Sequence, residues 1–158
     1  MTAGVANHVT IRDRVGEVST YPWALLVLRL AVGIIFIMHG AQKTFGMFGG
    51  HDLSASAQSM TKMGIPIALA YVSILTELLG GVALILGVLS RVAAVGLFIN
   101  MVVAVAMVHF ANGFFSMGPK GPGYEYNFAL LAMTLAIVIA GPGAFAISDW
   151  EGKLLSRE

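Results

Sequence analysis

Residues 23–43 read WALLVLRLAVGIIFIMHGAQK. As a helix rising ~1.5 Å per residue, about 20 residues cross the ~30 Å hydrocarbon core of a bilayer. One cation, Arg29, interrupts the apolar run. A charge at that depth costs about 2.5–3.5 kcal/mol on insertion scales, so it must face protein and find a partner. At about 100° per residue, Leu25, Gly33, Phe36, Gly40 and Lys43 fall within about 40° of Arg29. The charged face is therefore also a small-residue face that a second helix can approach closely. Glu77 is the acid inside the other apolar runs, so the expectation is an Arg29–Glu77 pair joining the first two spans. With Arg29 ~10 Å and Glu77 ~18 Å from one membrane face, an extended arginine bridges the offset. Breaking one partner of such a pair costs about 3–5 kcal/mol.

The rest of the composition agrees with a membrane setting. Of 158 residues, 58% are hydrophobic and 11% charged, against about 25% charged in soluble domains. The length suits one all-α bundle rather than two domains. A net charge of +1 offers no nucleic-acid surface. The chain has no cysteine, which excludes thiolate catalysis and Cys-ligated iron–sulfur or zinc centres.

Taken in order, residues 1–20 form a polar arm without the apolar core of a cleaved signal. Tyr21-Pro22-Trp23 marks a membrane interface and a helix start. Four spans follow, at roughly 23–41, 66–89, 92–110 and 126–147, with a charged tail over 151–158 and the membrane domain over 21–150. Between the first two, a short amphipathic helix begins near Asp52 or Ser54, either of which can cap it. Ala70, Ser73, Glu77, Gly80, Gly81 and Leu84 share one stripe of the second span, and Ser90-Arg91 is the turn into the third. On the third, Ala93, Gly96, Asn100, Ala104 and Met107 share a face, and His109 lies about 180° from Asn100. Gly141-Pro142-Gly143 ends or kinks the fourth. Arg12, Arg14, Arg91, Lys153 and Arg157 flank one side and Lys43, Lys62 and Lys120 the other. The basic majority places both termini inside: an integral membrane four-helix bundle, N-in/C-in.

Two groups of residues are candidates for chemistry. Glu77 is the candidate proton carrier, with Arg29 beside it. At the outer ends of spans one, three and four, His39, Lys43, His109, Glu125 and Asn127, with Asn100 deeper in the bundle, are candidate substrate-binding residues around an outward-opening polar pocket. No His-x-x-His or His-Glu-x-x-His motif is present, so no metal site is expected. The methionines read as packing.

The run Leu28-Arg29-Leu30, Gly33, Phe36, His39-Gly40 and Lys43 resembles the DoxX family. So do Glu77 with Gly80-Gly81, the Ser90-Arg91 turn, Glu125-Tyr126-Asn127, and Gly141-Pro142-Gly143 with Ser148-Asp149. The resemblance covers roughly residues 21–150. It implies a multi-pass protein of the bacterial inner membrane, with Arg29, His39, Lys43, Glu77 and Asn127 at the family's polar positions. It further implies a redox-associated subunit, in thiol and oxidative stress. Such a subunit binds a quinone or a small sulfur compound and anchors soluble redox enzymes at the membrane. Family resemblance carries no assigned mechanism, so whether the chain is itself an enzyme stays open. A non-enzymatic scaffold or assembly factor is one alternative. A small-solute or proton carrier is another, and it would require a homo-oligomer to enclose a path.

Overall fold

The computed structural model describes residues 20–147, so the expected tail over 151–158, Ser148-Asp149 and all of the arm but Thr20 lie outside the described residues. The regular structure of the described residues is all helical. Its helices are α1 (Tyr21–Phe45), α2 (Leu53–Lys62), α3 (Ile67–Leu86), α4 (Ser90–Ala104) and α5 (Glu125–Ala140). Among the described residues, three segments are long and apolar enough to cross a membrane: Tyr21–Phe45, Ile67–Leu86 and Ser90–Asn112. The fourth, α5, is a shorter apolar helix. Both termini of the bundle lie at one end, here called the terminal end; the connections α1–α3 and α4–α5 form the loop end.

Helices α1 and α3 meet on the glycine faces expected from their sequences. A Cβ on Gly40 would lie 2.6 Å from the Leu78 backbone, and one on Gly33 would lie 2.9 Å from the Gly81 carbonyl oxygen. Only glycine lets two backbones come this close. The interior below the loop end is filled by Val32, Phe36, Leu84, Ala94, Leu97, Met101, Leu130 and Ile137. On α4 the buried line is Ala94, Leu97 and Met101, about one residue round from the expected Ala93–Gly96–Asn100 face. That expected face looks sideways at α3 instead: Gly96 abuts Thr76, and Asn100 Nδ2 donates to the Ser73 carbonyl at 2.9 Å.

The amphipathic loop helix is present as α2. Asp52 caps it, its carboxylate accepting from Ala55 N–H at 2.9 Å. Ala57 of α2 packs with Ile65, Ala70 and Ile74 where α3 extends past α1. Asp52→Ala is expected to cost α2 about 1 kcal/mol. Amide exchange should quicken over residues 53–62 while the spans keep their protection.

The turn between α3 and α4 is Gly87-Val88-Leu89, and Ser90 already opens α4. Gly87, at φ +68°, ends α3 with Val88 N–H bonded to Ala83 O and Gly87 N–H to Leu84 O, a left-handed cap. Beyond α4 the chain widens into a π turn over Val105–His109, with Phe110 N–H bonded to Val105 O. One extra residue in a turn swings everything after it by about 100°. His109, opposite Asn100 on an unbroken helix, is thereby brought towards the bundle interior.

Helix α5 stops at Ala140, with Gly141-Pro142-Gly143 ending it rather than kinking it. The chain then hooks beneath the terminal end. Ala144 N–H bonds Pro22 O, Ile147 N–H bonds Leu86 O, and the Phe145 ring meets Trp23 edge to face.

Candidate functional site

The hook explains Arg29, and it is not the explanation expected from the sequence. Irregular backbone near membrane depth persists only where protein satisfies its polar groups. Arg29, 1% exposed, supplies that: Nη1 donates to Pro142 O at 3.0 Å and Nη2 to Phe145 O at 3.4 Å. Arg91 donates to Val138 O and Ile139 O at the same helix end. Two cations thus face the last carbonyls of α5 and of the hook, where the helix dipole is negative.

The Arg29–Glu77 pair is therefore corrected. The expected offset assumed that the helices end flush at the membrane face. The contacts of Gly40 with Leu78 and of Gly33 with Gly81 and Ile85 set a different register. In that register Gly87 lies beside the Arg29 guanidinium, while Glu77 sits opposite the Gly40 level, about 11 residues or ~16 Å further along α1. No arginine spans that distance.

Glu77 pairs instead with Lys43. Lys43 Nζ lies 2.7 Å from each carboxylate oxygen, the Glu77 side chain being 5% exposed and that of Lys43 34%. Lysine three residues beyond Gly40 stands near the loop end of α1, and its flexible stem lets the ammonium reach Glu77.

This pair borders a cavity of about 260 Å³ at the loop end. His39, Lys43, Glu77, His109 and Asn127 all line it, as do Tyr126 and Ser116. Phe36, Met101, Ala104 and Leu130 supply the apolar wall, and Pro122 and Gly123 of the α4–α5 loop contribute to the lining at its loop end. His109 Nδ1 is 2.9 Å from Pro122 O, and Asn112 Nδ2 donates to the same oxygen at 3.1 Å. Asn127, buried, points Nδ2 at Met101 Sδ, 3.5 Å away. A second hollow of about 300 Å³ lies between α1 and α2, lined by Gln42, His51, Ser56 and Ser59. Lys43 belongs to both linings.

Three expected binding residues fall elsewhere. Arg29 is in the hook, at the far end of the bundle. Asn100 is engaged with Ser73 O. Glu125 accepts from Ser116 N–H at 3.0 Å and so braces the loop rather than lining the cavity. Tyr126 was missed as a candidate: in the sequence it figures only within the Glu125-Tyr126-Asn127 run, at the start of α5. Its ring centroid lies 6.4 Å from that of His39. Among the described residues, no three His, Asp or Glu side chains gather as metal ligands.

Comparison with known proteins agrees with this architecture. The chain matches the DoxX family over residues 24–110. It is 30% identical to "Putative oxidoreductase CatD" of Bacillus subtilis, over 81% of this chain and 87% of that protein. It is 29% identical to "Inner membrane protein YphA" of Escherichia coli, over 80% and 89%, and 30% identical to "Inner membrane protein YqjF" of the same organism, over 85% and 93%. No solved structure matches. With its apolar helices and this match, the chain is a multi-pass protein of the bacterial inner membrane and belongs to the DoxX family.

Proposed function

We propose that the chain is a redox-associated membrane subunit that binds a small quinone-type ring or a small sulfur compound in the cavity at its loop end. The observation that carries this is the Lys43–Glu77 pair set into a cavity whose other walls are mainly apolar and aromatic. Small-molecule sites have this composition, an apolar container with a few converging polar groups. About 260 Å³ suits a single substituted ring, since a cavity of about 150 Å³ admits benzene. In this reading Glu77 carries protons, Lys43 attracts an anionic or carbonyl group, and His39, His109, Tyr126 and Asn127 orient the ligand. The N-in count of basic residues makes the cavity open outward, away from soluble redox enzymes docked on the inner face. The oxidoreductase in the Bacillus relative's name supports the class of this reading.

The test is a thermal-shift titration of the purified protein in lipid nanodiscs with a tail-less benzoquinone and, separately, with thiosulfate. A ligand at about 100 times its Kd adds about 2.7 kcal/mol to stability. One of the two is expected to raise Tm by several degrees. Glu77→Gln is expected to keep the apo Tm within a few degrees and to lose the shift. If neither compound moves Tm, the cavity is not a site for either class.

One observation favours a scaffold instead: Lys43 and Glu77 satisfy each other, both oxygens lying 2.7 Å from one ammonium. Under that reading, Lys43→Met with Glu77→Leu retains function in cells once packing is restored.

A further inference from the structure

The hydrogen-bond roles around the cavity are fixed more closely than its list of residues suggests. The carbonyl oxygen of Pro122 can only accept, so the 2.9 Å contact makes His109 Nδ1 the donor. In the neutral ring the remaining nitrogen, Nε2, then carries a lone pair. It meets no donor among the described residues. Thioether sulfur is a weak acceptor, so the 3.5 Å contact with Met101 Sδ assigns the Asn127 amide nitrogen to that side. This leaves Asn127 Oδ1 as a second acceptor without a donor among the described residues. Glu77 adds a carboxylate with lone pairs beyond those Lys43 uses.

From this we infer that the cavity selects a ring bearing a hydroxyl, a phenol or hydroquinone, over the matching quinone or ether. The inference rests on the cavity's being a ring-binding site and adds which oxidation state it holds. A quinone oxygen accepts from Lys43 or Tyr126 but brings no hydrogen for His109, Asn127 and Glu77. Filling the cavity with it strips water from acceptors and leaves them unpaired. A hydroxyl donates to His109 Nε2 and still accepts from Lys43. A pocket built around hydrogen bonds to a hydroxyl rejects the analogue lacking it far more strongly than an apolar pocket rejects a methyl.

The experiment compares three matched ring compounds by calorimetric titration of the nanodisc protein: the phenol dimethoxyhydroquinone, its methyl ether tetramethoxybenzene, and its oxidised form dimethoxybenzoquinone. The phenol is expected to bind about tenfold or more tighter than either of the others, the size of one unpaired buried acceptor. His109→Asn is the discriminating variant. Its amide keeps a donor for Pro122 O but has no acceptor at the Nε2 position, so the preference should collapse by about tenfold with the fold intact. Equal binding of all three, or tighter quinone binding, overturns the hydroxyl selection and leaves the cavity standing as a ring site. Binding of none overturns both readings.

Discussion

Lys43→Met is expected to destabilise the protein by about 3–5 kcal/mol, the cost of stranding one member of a buried ion pair. Glu77 is the reason. Its carboxylate is almost fully enclosed, and it pairs with the ammonium 2.7 Å away. Lys43→Met with Glu77→Leu should recover most of the loss, because replacing a buried pair by apolar groups of similar size is often neutral or better. Glu77→Gln should cost less than Lys43→Met, since its amide oxygen still accepts from Lys43 and no buried anion is left behind. Equilibrium unfolding in mixed detergent micelles reads all three. If Lys43→Met costs under about 1 kcal/mol, the value of a solvated surface pair, then Glu77 is effectively wet and the proton-carrier role loses its physical basis.

The second large effect belongs to Gly40. Its missing side chain is where Leu78 passes, 2.6 Å from an ideal Cβ to backbone atoms that cannot step aside. Gly40→Val is expected to push α1 and α3 apart and cost about 3 kcal/mol or more, at the upper end of overpacking penalties. Gly96→Ala is the matched control. There the added methyl meets the movable side-chain methyl of Thr76 at 3.1 Å, and a mid-helix alanine regains about 0.5–1 kcal/mol of backbone entropy. Its Tm should stay the same or rise slightly. A Gly40→Val protein as stable as the native one contradicts the helix register, and with it the depth assigned to Glu77.

What could be read in advance follows from how each feature is encoded. Periodic side-chain patterns carried the buried faces of α1 and α3, and the Asp52 cap declared itself through its residue type. The gathering of His39, Lys43, Glu77, His109 and Asn127 at one end followed from their positions along the spans. Arg29 was misassigned because its partners are the carbonyls of Pro142 and Phe145, and backbone acceptors leave no mark in side-chain chemistry. Axial register failed for a related reason: glycine contacts set it, and flush helix ends were a poor proxy. His109 was named for the cavity by its depth along the span, but its direction could not be read, because a π turn has no sequence signature and the rotation it adds is invisible until the chain is folded.

The hook has a consequence for biogenesis. Arg29 enters the membrane with α1, yet its acceptors lie 113 and 116 residues further along. At about 5–20 residues per second, a ribosome needs roughly 6–23 s to make them. Throughout that interval the nascent protein carries a guanidinium without the carbonyls that house it in the folded chain. Chains that terminate before Pro142 never house it and should be cleared by membrane quality control, although they already contain α1 to α5.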